Sequence, residues 1–478
     1  MIMPVERNQY HGIITGCRVH DIMLDMICLL SKEENFVTVL DSNEKYTTSH
    51  CNARRLAIHR GFQPLASMST LQARSLNAMC NVEMLPSLSC FEVLRVLALE
   101  GPSNRHNPDS YEHNGKLVHL RYLKLANIHI SELPEEIGEL KFLLVLDLSA
   151  KGINKLPESI GLLSQLKCLN ICETDIEVPY WIGGLTSLEE LCLGIVEEQS
   201  NFVTELGKLT ELRKLRVSDV LYLDSVGTMN AWAESVAKLN KIEVIDIQFI
   251  FSVRTSGHET PWEWKVLPPQ LRVLRMAYLE PELVARINPS LLPNMSHLEL
   301  FVYSPELEVF GSFRELVALE LFIGPWSALH HDTMGGTGAF PKLRVFKTQS
   351  TVGSFVHGDM PVLESLQFSI VAQSSDDGIS FDFDFGSLGN LPLLQHVSVL
   401  VSTPEADREK AEETVRHATD MLPNHVNLRF TIAEAALHIM LRCVLISITS
   451  IDVHGQLASY LMYIFFQRPQ KPDNQLAM

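Results

Sequence analysis

The sequence is short of positive charge. Its 39 lysines and arginines stand against 57 aspartates and glutamates, which gives a net charge of −18 over 478 residues. Proteins that bind DNA or RNA neutralise phosphates with a basic surface, and anionic membranes attract the same kind of surface. The charge balance therefore argues against nucleic acid, and against an anionic membrane, as the main partner.

Cysteines are few and irregularly spaced. There are nine, an odd number, and no C-x-x-C pair. Zinc sites and disulfide frameworks need regular spacing, so the pattern predicts no metal site and reduced thiols, as in the cytosol. Cys168, Cys172 and Cys192 would fall on adjacent strands. A two-residue offset adds about 6.6 Å to a strand spacing of about 4.8 Å, which predicts three separate reduced side chains.

Long hydrophobic runs are also missing. The first residues contain no apolar signal core, and the apolar segment 435–466 is interrupted by Arg442, Asp452 and His454. Its longest stretch without Asp, Glu, Lys or Arg, Val453–Gln467, has 15 residues. A helix that spans a bilayer needs roughly 20. We expect no membrane span and a cytoplasmic protein.

A repeated pattern, L-x-x-L-x-L, occupies the middle of the chain. It occurs thirteen times at steps of 20 to 31 residues, first as "LRVLAL" from Leu94 and "LRYLKL" from Leu120, then more loosely up to "LQHVSV" from Leu394. The fourth and sixth positions point inward on a short strand, while the third and fifth point outward. One unit cannot bury its own leucines, but stacked units share a core and a parallel sheet.

These repeats predict an α/β fold, a leucine-rich-repeat solenoid with a curved parallel sheet and outer helices and loops. The array covers residues 51–403, about 13–15 repeats counting two degenerate units at Ala53 and Ala73. In three units Pro134, Pro157 and Pro179 start the outer turn, followed by Ile-Gly. A charged helix and a last strand over 404–432 cap the array, and residues 433–478 form an atypical tail.

The later repeats contain longer connections. Ser225–Lys241 predicts a helix, as does the charged pattern of Pro404–Leu422, and "NLRFTI" from Asn427 predicts the last strand. Gly324–Pro341 and Ser374–Asn390 are rich in glycine and aspartate and predict loops.

The outward positions form the concave face, where such arrays bind partners. Phe301 and Phe322 fall on adjacent units with Trp326 just beyond, and exposed aromatic rings are frequent anchors of protein interfaces. The alternative is that these rings pack against the long loops. The candidate partner-binding residues, taken from mixed charged and aromatic positions, are Tyr122, Lys124, Lys214, Arg216, Arg275, Phe301, Phe322 and Trp326.

The segment "CRVHDIMLDMICLL" from Cys17 places a His-Asp pair at the head of a helix. Its apolar residues recur at helical spacing from Val19 to Leu30 and predict an amphipathic helix that joins the first repeats. No nucleophile motif accompanies His20 and Asp21, so we expect no enzyme activity. Cys17, His20 and Asp25 form one loose set with no second cluster, so we expect no metal.

The order of "CRVHDIMLDMI", "RRLAI", "LRVLAL" and the "LPEEIGEL" repeats resembles plant nucleotide-binding leucine-rich-repeat disease resistance proteins. In that family a Met-His-Asp-type motif ends a winged-helix domain just before the repeats. Val19-His20-Asp21 matches it. The resemblance implies that residues 1–50 are a winged-helix remnant, and that His20 and Asp21 belong to a motif that senses bound ADP.

The sequence departs from that family where the nucleotide would bind. The phosphate loop G-x-x-x-x-G-K-[ST] is absent, because Gly115-Lys116 and Gly207-Lys208 are each followed by leucine. We therefore expect no cofactor here: His20 and Asp21 would be vestigial, and ADP or ATP would bind only in a full-length family member.

The resemblance implies a role in plant innate immunity. The expected partner is a pathogen effector or a guarded host protein and, in a full receptor, the nucleotide-binding domain. The alternative is a leucine-rich-repeat signalling scaffold that has no part in immunity.

Overall fold

The structure is a computed structural model of the 478-residue chain. It describes residues 2–7, 14–34, 36–40, 54–59, 72–79, 88–101, 117–130, 132–172, 174, 176–197, 201–221, 226–250, 267–279, 287–302, 310–323, 338–375, 378–419 and 426–434. The apolar segment 435–466, the atypical tail and most of the predicted loop at 324–341 lie outside these residues.

Twenty strands make up most of the regular secondary structure among the described residues. They are β1 (Ile2–Arg7), β2 (Ile14–Val19), β3 (Thr38–Leu40), β4 (Arg55–Ile58), β5 (Ser75–Ala78), β6 (Val96–Glu100), β7 (Tyr122–His129), β8 (Val145–Lys151), β9 (Cys168–Ile171), β10 (Glu190–Glu197), β11 (Lys214–Leu221), β12 (Val244–Ile250), β13 (Val273–Leu279), β14 (His297–Val302), β15 (Ala318–Ile323), β16 (Val345–Thr348), β17 (Ser365–Ser375), β18 (Gly378–Phe381), β19 (His396–Thr403) and β20 (Asn427–Glu434).

One long parallel sheet contains every strand from β3 onward except β18. Each strand pairs with the next along the chain, from β3–β4 to β19–β20, and β17 pairs directly with β19. Among the described residues β20 pairs only with β19 and β3 only with β4, so the sheet is open. The sheet confirms the predicted curved leucine-rich-repeat solenoid. It already begins at Thr38, within the segment assigned to the winged-helix remnant.

The repeated leucines explain why the strands stack. Leu123 and Leu125 on β7 and Leu146 and Leu148 on β8 are completely buried, as the fourth and sixth repeat positions predict. Full burial of such a side chain contributes about 1.5–3 kcal/mol. One strand has no second layer of its own, so this stabilisation requires a neighbouring repeat on each side.

Short 3-10 turns form the outer side of the three proline-containing repeats. They span Glu135–Glu139, Glu158–Leu162 and Ile182–Gly184. The prolines precede the turns as predicted, and Pro134 carries φ −69°, which its ring enforces. The Ile-Gly pair that recurs in these three repeats also has a packing reason. A Cβ on Gly138 would lie 2.7 Å from the backbone oxygen of Ser159 in the next turn.

Four α-helices lie among the described residues: α1 (Asp21–Glu33), α2 (Phe202–Leu206), α3 (Val226–Ala237) and α4 (Arg408–Thr419). α3 and α4 confirm the two helices predicted in the later repeats. β20 confirms the last strand, and it pairs in parallel with β19 like any other repeat strand. None of the described helices combines the length and apolar content needed to cross a bilayer.

The prediction of a loop at Ser374–Asn390 is wrong. β17 continues to Ser375 and turns back into β18, which pairs with it in antiparallel register. A 3-10 helix at Phe385–Asn390 follows. The alternating phenylalanines of "ISFDFDF" stabilise this arrangement by packing against one another. The centroid of the Phe383 ring lies 4.5 Å from that of Phe368 and 5.2 Å from that of Phe385.

The N-terminal part contains an antiparallel hairpin, β1–β2, followed directly by α1. The expectation that the apolar stripe of α1 packs against the first repeats is wrong. Ile22 is 72% exposed, and Met26, Ile27 and Leu30 are exposed as well. The helical spacing is present, but within the described part of the chain no second layer lies on the apolar face of this helix.

Candidate functional site

The concave face carries two parallel rows of side chains. The third repeat positions form one row and the fifth positions form a central row. The register of the strands places successive fifth-position residues directly beside one another, for example Lys124 beside Asp147 and Arg216 beside Asp246. From β7 to β16 the central row reads Lys124, Asp147, Asn170, Cys192, Arg216, Asp246, Arg275, Glu299, Glu320 and Lys347.

The first part of the central row is joined by polar contacts. Lys124 Nζ lies 4.0 Å from Asp147 Oδ2, and the Asn170 amide donates a hydrogen bond of 3.0 Å to Asp147 Oδ1. The Asn170 side-chain oxygen accepts from the backbone N–H of Cys172 at 3.2 Å. Three strands are thus linked by side chains as well as by the backbone.

Arg275 is the centre of the second part. Its Nη1 lies 3.0 Å from Asp246 Oδ2, and its Nε lies 3.1 Å from Glu299 Oε2. The Arg275 side chain is only 18% exposed, because carboxylates flank it on both neighbouring strands. A partner would therefore meet Arg275 as part of a fixed ion-pair network.

Two carboxylates stand next to each other at the end of this network. Glu299 and Glu320 are directly paired on β14 and β15, and Lys347 Nζ lies 3.6 Å from Glu320 Oε2. Burial, and then the neighbouring Glu320, raises the pKa of Glu299 to about 7, although Arg275 opposes the shift. Burial also raises the pKa of Glu320. Near neutral pH Glu299 therefore changes its charge readily.

Lys214 and Arg216, both predicted as partner-binding residues, lie on the same strand. Lys214 Nζ contacts Glu190 Oε1 at 2.6 Å, and Arg216 Nε lies 3.7 Å from Asp246 Oδ2. Both side chains remain more than half exposed, at 55% and 57%. They are therefore accessible to a partner in a way that Arg275 is not.

Tyr122 and Lys124 lie on β7, toward the N-terminal side of the array. Both are half-buried and face the concave side. Burial, and then the neighbouring Asp147, raises the pKa of the Tyr122 hydroxyl, which therefore remains protonated and able to donate a hydrogen bond at neutral pH.

The predicted aromatic group is only partly described. Phe301 and Phe322 pair directly in the register of β14 and β15, as the repeat spacing indicates. Phe322 is half-buried, and Trp326 lies outside the described residues. The choice between a partner anchor and packing against the loops therefore stays a prediction.

His20 and Asp21 sit at the start of α1, and both are exposed. The His20 Nδ1 accepts a hydrogen bond of 3.4 Å from the backbone N–H of Ile22, so the ring caps the helix. Within the described chain, no group of three or more His, Cys, Asp or Glu side chains is arranged to hold a metal.

The prediction of separate reduced thiols is wrong for Cys172 and Cys192. The two residues form a disulfide, with their Cα atoms 5.4 Å apart. Cys192 lies beside Asn170 as predicted, but β9 ends at Ile171 and the chain then bends toward β10. The backbone at Cys172 can approach β10 closely because residue 194 is glycine. A Cβ at that residue would lie 3.2 Å from the backbone oxygen of Cys172. Cys168 stays a free thiol, and burial, more than the nearby carboxylates, raises its pKa to about 11.

Asp246, Glu299 and Glu320 are among the residues of the central row that are not predicted partner-binding candidates. All three occupy the fifth position of their repeats. Alignment of the repeats by their leucines places them in one row with Arg275 and Lys347, so the signal is present in the sequence. The burial of these three carboxylates cannot be predicted from the repeat pattern, because it depends on the long side chains of the neighbouring strands.

Comparisons with known proteins agree with this architecture. A family profile described as "Leucine-rich repeat region" matches residues 72–428. "Probable disease resistance RPP8-like protein 2" of Arabidopsis thaliana is 25% identical over 408 residues, which cover 76% of this chain and 41% of that protein. "Disease resistance protein RPP8" of the same plant is 31% identical over 255 residues, which cover 50% of this chain and 27% of that protein.

A rice relative and one solved structure complete the comparison. "Disease resistance protein Pik-2" of Oryza sativa subsp. japonica is 29% identical over 142 residues, which cover 28% of this chain and 13% of that protein. A leucine-rich-repeat protein of Leptospira interrogans has a TM-score of 0.45 at 16% identity, covering 75% of this chain and 90% of its own. The chain spans less than half the length of the disease resistance proteins named here. It belongs to the leucine-rich-repeat family, and its relatives include plant disease resistance proteins.

Proposed function

We propose that the chain is the recognition module of a cytoplasmic plant immune receptor, and that its concave face binds a pathogen effector or a guarded host protein. The observation that supports this most is the central row. Charged and polar side chains follow one another without interruption across the strands from β7 to β16, apart from Cys192, on the face that repeat proteins offer to partners. The named relatives are disease resistance proteins, which favours immunity over other uses of such a face.

The module acts by binding rather than by catalysis. The charged side chains of the concave face are mostly engaged with one another, and His20, the histidine of the opening motif, is used as a helix cap. We also propose that the chain alone has no high-affinity nucleotide site. Titration calorimetry with ATP and with ADP tests this, and sub-micromolar binding of either nucleotide would contradict it.

Lys214 and Arg216 are the most accessible charges among the candidates, so the test of partner binding uses them. The double variant Lys214→Glu/Arg216→Glu reverses two exposed charges. It breaks the exposed pair of Lys214 with Glu190, worth less than about 1 kcal/mol, and the 3.7 Å contact of Arg216 with the buried Asp246, which keeps Arg275 as its closer partner at 3.0 Å. The fold should survive. The matched control is Lys241→Glu, because Lys241 Nζ forms an equally exposed pair, 2.6 Å from Glu211 Oε2, before β12 and away from the central row.

The experiment is a pairwise split-luciferase screen in leaf tissue against the secreted proteins of a plant pathogen. We expect at least one partner whose signal falls about fivefold or more in the double variant and is unchanged in Lys241→Glu. Pathogen growth should respond when that partner and the full receptor are present together. Partners confined to endogenous signalling proteins, with pathogen growth unaffected, would instead support the scaffold function.

A further inference from the structure

Four arginines line one edge of the sheet at its N-terminal end. Arg54, Arg74, Arg95 and Arg121 occupy the second repeat position just before β4, β5, β6 and β7. Their backbones are consecutive rungs: the N–H of Arg74 bonds to the oxygen of Arg54, that of Arg95 to Arg74, and that of Arg121 to Arg95, each at 2.8 Å. All four side chains are exposed.

In the later repeats the second repeat position has a different charge pattern. In those repeats most basic residues at this position form an ion pair with an acidic residue at the same position of the next repeat. The pairs are Lys167 with Glu189 at 2.7 Å, Arg213 with Glu243 at 2.8 Å and Arg344 with Glu364 at 3.6 Å. Within the described residues, no carboxylate lies at ion-pair distance from the four N-terminal arginines.

This arrangement costs the isolated protein some stability. Neighbouring strands lie about 4.8 Å apart, and like charges directly opposite each other on adjacent strands are unfavourable. An anionic partner would remove that repulsion. Such a patch is notable in a chain of net charge −18, because the general charge of the protein does not account for it.

Apolar side chains next to the arginines indicate what kind of anion fits. Val93, Val118 and Phe142 lie in the turns that lead into β6, β7 and β8, and they are 40%, 43% and 48% exposed. A surface that binds nucleic acid is a broad basic groove, with aromatic rings where bases stack. Here a line of cations one residue wide lies beside two valines and one phenylalanine, a combination that is typical of a protein interface.

We propose that this arginine edge, formed by Arg54, Arg74, Arg95 and Arg121 with Val93, Val118 and Phe142, binds an acidic segment of a partner protein that also carries apolar side chains. The surface lies at the start of the strands in the first repeats. It is separate from Lys214 and Arg216, so the proposal does not depend on effector binding at the central row.

Fluorescence anisotropy with a labelled peptide rich in glutamate and leucine tests the proposal on the whole chain. The variant is Arg74→Gln/Arg95→Gln. Exposed ion pairs each contribute a factor of about two to five in affinity, so the double variant should bind about fourfold to twenty-five-fold more weakly. Because the substitution relieves like-charge repulsion, its melting temperature should not fall below that of the parent.

Arg272→Gln is the matched control, since Arg272 occupies the same repeat position before β13 but stands between Glu243 and Ser296. It should leave peptide affinity unchanged. The same peptide with glutamine in place of glutamate should not bind, and a polyglutamate without leucine should bind more weakly. An equal loss in Arg272→Gln, no saturable binding, or tighter binding of single-stranded DNA or phosphatidylserine vesicles than of the peptide would each overturn the proposal.

Discussion

Asp246 and Arg275 lie directly opposite each other on β12 and β13, with Arg275 Nη1 3.0 Å from Asp246 Oδ2. Asp246 is 7% exposed, which makes it one of the few buried carboxylates of the described chain. A buried charge is costly unless it is paired and hydrogen-bonded. This pair therefore gives the centre of the concave face a stable shape, on which the more exposed Lys214 and Arg216 can meet a partner.

The first prediction concerns this ion pair. Arg275→Gln removes the main partner of Asp246 and one partner of Glu299, so unfolding in urea should occur at a lower concentration, with a loss of about 1–3 kcal/mol. Arg216→Gln is the control, because Arg216 is mostly exposed and 3.7 Å from the same carboxylate. It should cost less than about 1 kcal/mol. Equal losses for the two variants would show that the Arg275 pair has no special role.

The second prediction concerns pH. The pKa of Glu299 is raised to about 7 in the folded protein from 4.5. Between these two values the folded state holds a proton that the unfolded state has released, so stability falls as pH rises through this window. Glu299→Gln is always neutral, and it should therefore become more stable relative to the parent as pH rises from 5 to 8, by about 2 kcal/mol.

The measurement is a set of urea unfolding curves at pH values across that window. Glu315→Gln serves as the control, because Glu315 is half-exposed and pairs with Lys342 at 2.7 Å outside the central row. This variant keeps Glu299, so its stability should fall between pH 5 and 8 as that of the parent does. If the stability of Glu299→Gln falls in parallel with the parent as well, Glu299 does not carry the raised pKa.

Much of this architecture follows from the spacing of leucine alone. A fourth and sixth leucine in each unit can be buried only if units stack, so the sheet, its order and its outward positions could be predicted from the sequence. The hairpin formed by β17 and β18 could also have been predicted, because "ISFDFDF" alternates with the period of a strand. The glycines and aspartates of this segment favour a loop, but the alternation of its apolar side chains outweighs them.

Other features depend on geometry that no local pattern carries. The bond between Cys172 and Cys192 requires the chain to bend after Ile171. A two-residue offset keeps the two sulfur atoms apart only if the strand continues straight. The exposed apolar face of α1 is a second case. Helical spacing indicates that a face could be buried, but it does not show which part of a protein covers it.

The third prediction concerns the Cys172–Cys192 disulfide. The two cysteines are 20 residues apart in sequence, and closing a loop of that length in the unfolded chain stabilises the fold by about 3 kcal/mol on the chain-entropy account. Cys172→Ser should lower the melting temperature under non-reducing conditions and match the parent in dithiothreitol. Cys168→Ser should change little. Mass spectrometry after alkylation checks the bond itself, and two alkylated residues in the unreduced parent would contradict it.

The last prediction tests why Ile is followed by Gly in the outer turns. A Cβ at Gly138 would meet the backbone oxygen and the side chain of Ser159 in the next turn, and backbone cannot move aside as a flexible side chain can. Gly138→Ala should therefore destabilise the protein by about 1–3 kcal/mol, the usual cost of an overpacked contact. Gly389 is the matched control, since it lies in the 3-10 helix of a later repeat with nothing within 4 Å of its would-be Cβ. Gly389→Ala should be neutral or slightly stabilising, because alanine narrows the unfolded ensemble. The measurement is the melting temperature of each variant. If Gly138→Ala and Gly389→Ala shift it by the same amount, close stacking of one outer turn on the next does not require glycine at residue 138.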